Sequence, residues 1–165
     1  MKNFYLKNLR VIICDFDGVL TDNKVYVDQQ GREMVCCSRA DGLAFNLLSR
    51  THIRAFILTT EKNPVVARRA EKIKVPLVYG GFNKLAALKK LAKRGGFSLD
   101  QVLYVGNDVN DLEAMLACAW KVCPSDSYSG IKKIANIVLS TKGGNGVVSE
   151  LVEYILDKKS LRKVL

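Results

Sequence analysis

The sequence predicts an α/β fold: a three-layer, Rossmann-like parallel sheet with helices on both faces, a small β-hairpin insert and no cap domain. Three observations predict it. Short apolar runs alternate with amphipathic stretches along the chain. Cap and breaker residues stand between them. A single segment, Asn23–Cys37, breaks the alternation with two β-rich runs around a polar turn.

Val11–Phe16 reads as a buried strand, since VIIC is apolar on both of its faces. In NKVYVDQQGREMVCC, the turn residues Asp28-Gln29-Gln30-Gly31 separate the two β-rich runs, which makes a hairpin rather than a crossover helix. Leu43–Ser49 reads as a helix capped by Asp41. The lone His52, between helix-like and strand-like segments, reads as a loop residue and not a catalytic base. Ile53–Leu58 is strand-like, and a helix follows from Pro64 to Lys74, with proline suited to its first turn. Pro76–Tyr79 is a short strand, and Lys84–Arg94 an amphipathic helix closed by Gly95-Gly96. Val102–Val105 is the next strand and Leu112–Ala117 the next helix. Trp120–Val122 and Ile137–Leu139 are short strands, and Val147–Leu156 is a terminal helix. The tail KKSLRKVL is expected to fray. Repeated β–α–β order implies a parallel sheet between helix layers. No linker, repeat or low-complexity tract divides the chain, so residues 1–165 are expected to form one domain, with 23–37 as the insert.

At 165 residues the chain is long enough to bury a proper core. Its 48% hydrophobic and 25% charged residues match a soluble globular protein. No apolar run approaches the ~20 residues of a membrane span, and MKNFYLKNLR lacks the features of a signal peptide. A cytoplasmic location is expected. The five cysteines are odd in number, without CxxC or His-rich patterns, so reduced core thiols are expected rather than disulfides or zinc. Lys+Arg 26 against Asp+Glu 16 leaves a net charge of +10. The basic residues are scattered over helix-like faces with no aromatic-interleaved stripe, which argues against nucleic acid and leaves small anionic partners open.

In an open parallel sheet, ligands bind beyond the carboxyl ends of the strands. Asp15-Phe16-Asp17-Gly18 ends the first strand, and Thr59-Thr60-Glu61 ends another. Lys84 opens the helix after Pro76–Tyr79, and Gly106-Asn107-Asp108-Val109-Asn110-Asp111 follows Val102–Val105. Two neighbouring acids repel and need a cation; a hard divalent ion such as Mg²⁺, which prefers oxygen ligands, supplies it. One carboxylate in line with a phosphoryl group can act as nucleophile, giving an aspartyl-phosphate. The other, two residues on, can protonate the leaving alkoxide and then activate water. A lysine and a hydroxyl can hold the charge on the phosphoryl oxygens. Each piece alone is weak, because aspartates also shape turns and favour helix starts. Their coincidence on one rim carries the reading.

These residues give the sequence its resemblance to the haloacid dehalogenase superfamily of phosphatases: DFDGVLTD looks like its first motif, FILTT its second, Lys84 its third and GNDVND its fourth. The missing cap, the early hairpin and GGNGVVSE (Gly143–Glu150) are similar to a small capless branch. That branch includes phosphatases of 3-deoxy-D-manno-octulosonate 8-phosphate and of nonulosonate 9-phosphates, and the C-terminal domains of some acylneuraminate cytidylyltransferases. The resemblance implies Asp15 as nucleophile and Asp17 as general acid/base whose backbone carbonyl touches Mg²⁺. It implies Thr59 and Lys84 on the phosphoryl group, with further metal ligands among Asn107, Asp108 and Asp111. It makes Ser38-Arg39-Ala40-Asp41-Gly42 a substrate-contacting loop and Asn110 another contact. It also implies a homotetramer whose hairpins form a central barrel and whose neighbours cover each site.

Octulosonate phosphatases usually carry Thr-Gly-Arg where this chain has Thr59-Thr60-Glu61. Glu61 followed by Arg69 and Lys72 looks more like the nonulosonate phosphatases. A glutamate accepts hydrogen bonds from a sugar hydroxyl or N-acyl group, and an arginine grips a carboxylate bidentately. Asn107 departs from the aspartate of most relatives: its amide oxygen can coordinate Mg²⁺ but brings no charge. The resemblance therefore implies a Mg²⁺-dependent phosphatase of a 2-keto-3-deoxy sugar acid phosphate, nonulosonate 9-phosphate before octulosonate 8-phosphate. The alternative is a weakly active or non-catalytic tetramerising module that binds a sugar acid.

Overall fold

The computed structural model of the protein describes Leu6 and residues 8–156; the tail KKSLRKVL and most of the first seven residues lie outside them. Six strands form one sheet: β1 (Val11–Cys14), β4 (Arg54–Thr59), β5 (Leu77–Tyr79), β6 (Val102–Val105), β7 (Trp120–Cys123) and β8 (Ile137–Val138). Their order is β5-β4-β1-β6-β7-β8, and every pairing is parallel. β2 (Tyr26–Val27) and β3 (Glu33–Met34) pair antiparallel as the separate hairpin.

Helices cover both faces, which explains why the central strands are apolar throughout. Ile12 and Cys14 face a layer built from α1 (Arg39–Leu48), α2 (Pro64–Ile73) and α6 (Val147–Ile155). Val11 and Ile13 face α3 (Lys84–Gly95), α4 (Leu112–Leu116) and α5 (Ser129–Ile134). Each fully buried aliphatic side chain contributes roughly 1.5–3 kcal/mol. On that scale α6, with Val147, Val148, Leu151 and Val152 buried, is held far more firmly than α5, which buries Ile131 alone. α2 starts as its sequence foretells, with Pro64 in the first turn and the Asn63 side chain accepting from Val65 N–H at 3.0 Å. α3 stops at Gly96, whose φ of +64° is the left-handed conformation that glycine adopts freely.

Three expectations are corrected. α1 begins at Arg39, not Leu43, because Ser38 Oγ accepts from Ala40 N–H at 3.2 Å and caps it; Asp41 lies inside the first turn. α5 was not foreseen, since SGIKKI buries only Ile131 and shows no period. Of the cysteines, Cys14, Cys118 and Cys123 are buried but Cys36 is exposed and Cys37 half-buried; all five are free. Burial pushes the Cys118 thiol up to about 12, which keeps it protonated and inert. His52 is an exposed loop residue, as read. Among the described residues no helix is long and apolar enough to cross a membrane.

The hairpin is short, two residues per strand. Asp28 shapes its turn: Oδ1 accepts from the Gln30 and Arg32 N–H groups at 2.9 Å, and Oδ2 from Arg32 Nε at 2.6 Å. Thr21 and Cys37 bridge at its base. Val25, Tyr26, Val27 and Met34 are all exposed.

Candidate active site

The chain runs from β1 outwards to β4 and β5, then crosses back to β6, β7 and β8. Such a reversal opens a crevice at the carboxyl ends of the central strands. There lies a cavity of about 220 Å³, lined by Asp15, Asp17, Thr59, Thr60, Asn107 and Asp108 together with Asn23, Val109 and Asn110. Three of the four segments picked out in the sequence line this cavity directly. The fourth supplies Lys84 from beneath.

Lys84 Nζ lies 2.7 Å from Asp15 Oδ1 and 2.7 Å from Asp111 Oδ1, and its side chain is almost wholly buried. Burial opposes the charge on Lys84, but the two carboxylates outweigh it and hold its pKa above the ordinary value. Asp15 Oδ1 also accepts from Phe16 N–H at 2.8 Å. Burial first, then repulsion from Asp111, push the Asp15 carboxyl up to about 8 against the pull of Lys84. A cation beside this carboxylate would favour the ionised form. Thr59 is buried at the end of β4, and its Oγ1 accepts from Glu61 N–H at 3.0 Å, which leaves the hydroxyl proton for a ligand.

Asp17 is half-buried and its pKa is raised, by burial first and then by Glu61. Thr21 Oγ1 donates to Asp17 Oδ1 at 3.4 Å and accepts from Gly18 N–H at 3.1 Å, so the threonine of DFDGVLTD braces the loop from within. Gly18 has a φ of +74°, and a Cβ there would stand 1.8 Å from Asn107 Nδ2. Only glycine leaves room for that amide. Asn107 Oδ1 is buried at the cavity with no hydrogen-bond partner. An orphaned buried acceptor costs about 1–3 kcal/mol, and a hard cation would satisfy it. Among the described residues no three His, Cys, Asp or Glu side chains converge closely enough to hold a metal by themselves. The donors at hand are the Asp15, Asp17 and Asp108 carboxylates and the Asn107 amide oxygen. They fit a cation that takes one or two carboxylates and keeps waters, as Mg²⁺ does, better than zinc.

Other residues expected at the site stand elsewhere. Asp111 is corrected as a metal ligand. A single 3₁₀ turn, Val109–Asp111, rotates it inward. Its Oδ1 accepts from Lys84 and from Tyr104 O–H at 3.0 Å, and its Oδ2 from the N–H groups of Asn107 at 2.9 Å and Asp108 at 3.3 Å. No lone pair is left for a cation. Asp108 caps that turn through Val109 N–H while lining the cavity. Asp41 is corrected as a substrate contact: it is 2% exposed, and its Oδ1 accepts from Val148 and Ser149 N–H groups at the start of α6. Burial pushes Asp41 up to about 6, against the pull of those two N–H groups.

Ser38 caps α1, and Ala40 sits in that helix's first turn. Arg39, Gly42, Arg69 and Lys72 line a second cavity of about 500 Å³ between α1 and α2, not the carboxylate cavity. Arg69 donates to the Ser38 carbonyl at 2.6 Å. Glu61 is exposed, and its Oε1 accepts from Lys62 and Asn63 N–H groups at 2.7 Å, yet it is near enough to raise the Asp17 pKa. The sequence reading missed Thr21 and Tyr104. Thr21 was visible within the quoted motif; Tyr104 was hidden in an apolar strand, where an aromatic ring reads as core.

Comparison with known proteins gives a consistent picture. A family model for haloacid dehalogenase-like hydrolases matches residues 49–151. The 3-deoxy-D-manno-octulosonate 8-phosphate phosphatase of Haemophilus influenzae is 31% identical over 160 residues, 96% of this chain and 89% of the relative. The cobalt-bound structure of that phosphatase superposes with a TM-score of 0.88 over 96% of this chain and 92% of its own. The octulosonate phosphatase of Moraxella catarrhalis, in complex with magnesium ion, phosphate ion and KDO, superposes with a TM-score of 0.88 at 28% identity, covering 96% and 91%.

Proposed function

The chain belongs to the haloacid dehalogenase-like hydrolase family, and we propose that it is a Mg²⁺-dependent phosphatase of a 2-keto-3-deoxy sugar acid phosphate. One observation carries the proposal: Asp15 meets the cavity with Oδ1 clamped by buried Lys84 and by Phe16 N–H. That clamp orients Oδ2 for attack and places a fixed positive charge where a phosphoryl group would sit.

Asp15 Oδ2 attacks phosphorus, the bond to the sugar oxygen breaks, and Asp17 gives its proton to the departing alkoxide. The raised pKa of Asp17 favours the protonated form that this step needs. Asp17, now ionised, takes a proton from water, whose oxygen attacks the aspartyl-phosphate; inorganic phosphate leaves and Asp15 is regenerated. Thr59 O–H and Lys84 steady the phosphoryl oxygens throughout. Asp15, the Asp17 main-chain carbonyl and Asn107 Oδ1 would hold Mg²⁺, with Asp108 at the cavity wall. The ion supplies neutralisation of phosphoryl charge.

Nonulosonate 9-phosphate is the favoured substrate and octulosonate 8-phosphate, the substrate in the names of the relatives, the close second. Glu61 beside Asp17 and exposed Asn110 are suited to the sugar hydroxyls. Arg69 and Lys72, facing the other cavity, serve the C1 carboxylate of a neighbouring subunit's substrate in a cytoplasmic homotetramer assembled through the hairpins. Exposed apolar residues on an otherwise marginal two-stranded element support that assembly.

A panel of sugar acid phosphates assayed with Mg²⁺ for phosphate release tests the proposal. Both substrates are expected to turn over, the nonulosonate with the higher kcat/KM, and Asp15→Asn is expected to lose on the order of 10³-fold or more. No release from any member, with sugar acid still bound, leaves the non-catalytic module as the reading.

A further inference from the structure

Asp41 is a buried carboxylate that the proposed reaction does not use. It stands on α1, yet both hydrogen bonds of its Oδ1 go to α6, to Val148 N–H at 2.8 Å and Ser149 N–H at 3.2 Å. α6 has no cap of its own, because the N-cap position is Gly146, with a φ of +100° and no side chain to offer. Asp41 therefore supplies from another helix the acceptor that this N-terminus lacks.

The segment leading into α6, residues 140–146, is held by two more carboxylates. Asp126 Oδ1 accepts from Gly143 N–H at 3.0 Å, and Glu150 accepts from Ser140 and Thr141 N–H groups at 2.9 and 2.8 Å. What the segment does is visible from its glycines. Gly144 N–H donates to the Val19 carbonyl at 3.0 Å, and a Cβ on Gly143 would stand 2.4 Å from the Gly18 carbonyl oxygen. The turn thus lies flat against the loop Gly18–Asp22. That loop presses on the Asn107 amide through Gly18 and bonds Asp17 through Thr21.

We infer that Asp41 is a positioning residue for the cation and acid groups: through the N-terminus of α6 it holds the Gly143-Gly144 turn against the Gly18–Asp22 loop, and so sets where Asp17 and Asn107 stand. The four buried apolar residues of α6 dock the helix on the sheet; Asp41 sets the register of its first turn. The inference rests on the assignment of Asp17 and Asn107 made under the proposed function.

The test is Mg²⁺ binding by calorimetry, alongside kcat and KM for octulosonate 8-phosphate, in the full-length wild type, Asp41→Ala, Asp41→Asn and Gly143→Ala. Asp41→Ala is expected to weaken Mg²⁺ affinity roughly tenfold and to lower kcat with KM nearly unchanged, the usual scale for groups that support metal ligands. Asp41→Asn, which keeps an oxygen for the two N–H groups, is expected to restore both to within about twofold of wild type. Gly143→Ala, which lifts the turn without touching Asp41, is expected to match Asp41→Ala. A raised KM in both Asp41 variants with Mg²⁺ affinity unchanged would make Asp41 a substrate contact and overturn the inference. Wild-type Mg²⁺ affinity in Gly143→Ala overturns it as well, and decides the matter even if Asp41→Ala does not fold. A wild type that binds Mg²⁺ but releases no phosphate fails the proposed activity alone, and the affinities still test Asp41.

Discussion

At and beneath the floor of the cavity beyond β1, Asp15, Lys84 and Asp111 are 4%, 3% and 0% exposed; on the hairpin, Val25, Tyr26, Val27 and Met34 are 50%, 59%, 64% and 61% exposed. The burial runs opposite to the polarity. Charged groups are inside because they satisfy one another: one ammonium answers two carboxylates, and Asp111 receives four donors in all. Apolar groups are outside because the two-residue strands have no sheet to lie on. The charged cluster is satisfied within one chain, whereas the hairpin leaves its apolar side chains exposed, the kind of surface that suits a partner.

The largest effect should come from breaking the inner cluster. Lys84→Met leaves two buried carboxylates without a counter-charge, and such a break costs about 3–5 kcal/mol. Chemical denaturation should show that loss, and phosphate release should vanish; a stable, active variant would mean the cluster is decorative.

The hairpin should answer in the opposite way. Val27→Asp with Met34→Asp is expected to reduce the sedimenting mass to that of a monomer while shifting the stability of each subunit by no more than about 0.5 kcal/mol, since both residues are exposed. Unchanged mass would assign those side chains to solvent.

A third measurement separates the cluster from an isolated buried acid. The folded chain holds the Asp41 proton up to about 6, whereas the unfolded chain releases it near the ordinary value. The stability from that proton is therefore complete below about pH 4 and lost as the pH rises through 6, by at most about 3 kcal/mol. Burial prevails over the helix N-terminus, whose attraction for the charge is worth at most about 2 kcal/mol. Asp41→Asn should gain on wild type in stability as the pH rises from 4 to 7, and a constant gap between the two would refute the assignment. The smallest effect within the cluster is Tyr104→Phe, which removes one of the donors to Asp111 and should cost about 1 kcal/mol in denaturation with the fold intact.

Much of this was legible before any coordinates. The strands and most helices follow from periodicity, and Asp15, Asp17, Thr59 and Asn107 sit where strand ends deliver them. What stayed hidden depends on distance or rotation. Ser38 and Asp41 are both cap residues by type, and the bonds that tell them apart lead to Ala40 in one case and to α6 at the far end of the chain in the other. Asp111 has the spacing of a ligand, but one 3₁₀ turn directs it to Lys84. Arg69 and Lys72 follow Glu61 closely in sequence, yet α2 turns them towards α1, away from the carboxylates. No local pattern records which side of a helix meets which neighbour.

The contact between Gly18 and the Asn107 amide, under 2 Å to any added methyl, ties together two stretches that arrive on different strands. Anyone splicing the first fifty residues of one homologue onto the remainder of another will keep a working pocket only if a glycine lands opposite the amide. Natural recombination faces the same filter, so the two loops should travel through evolution as a linked pair.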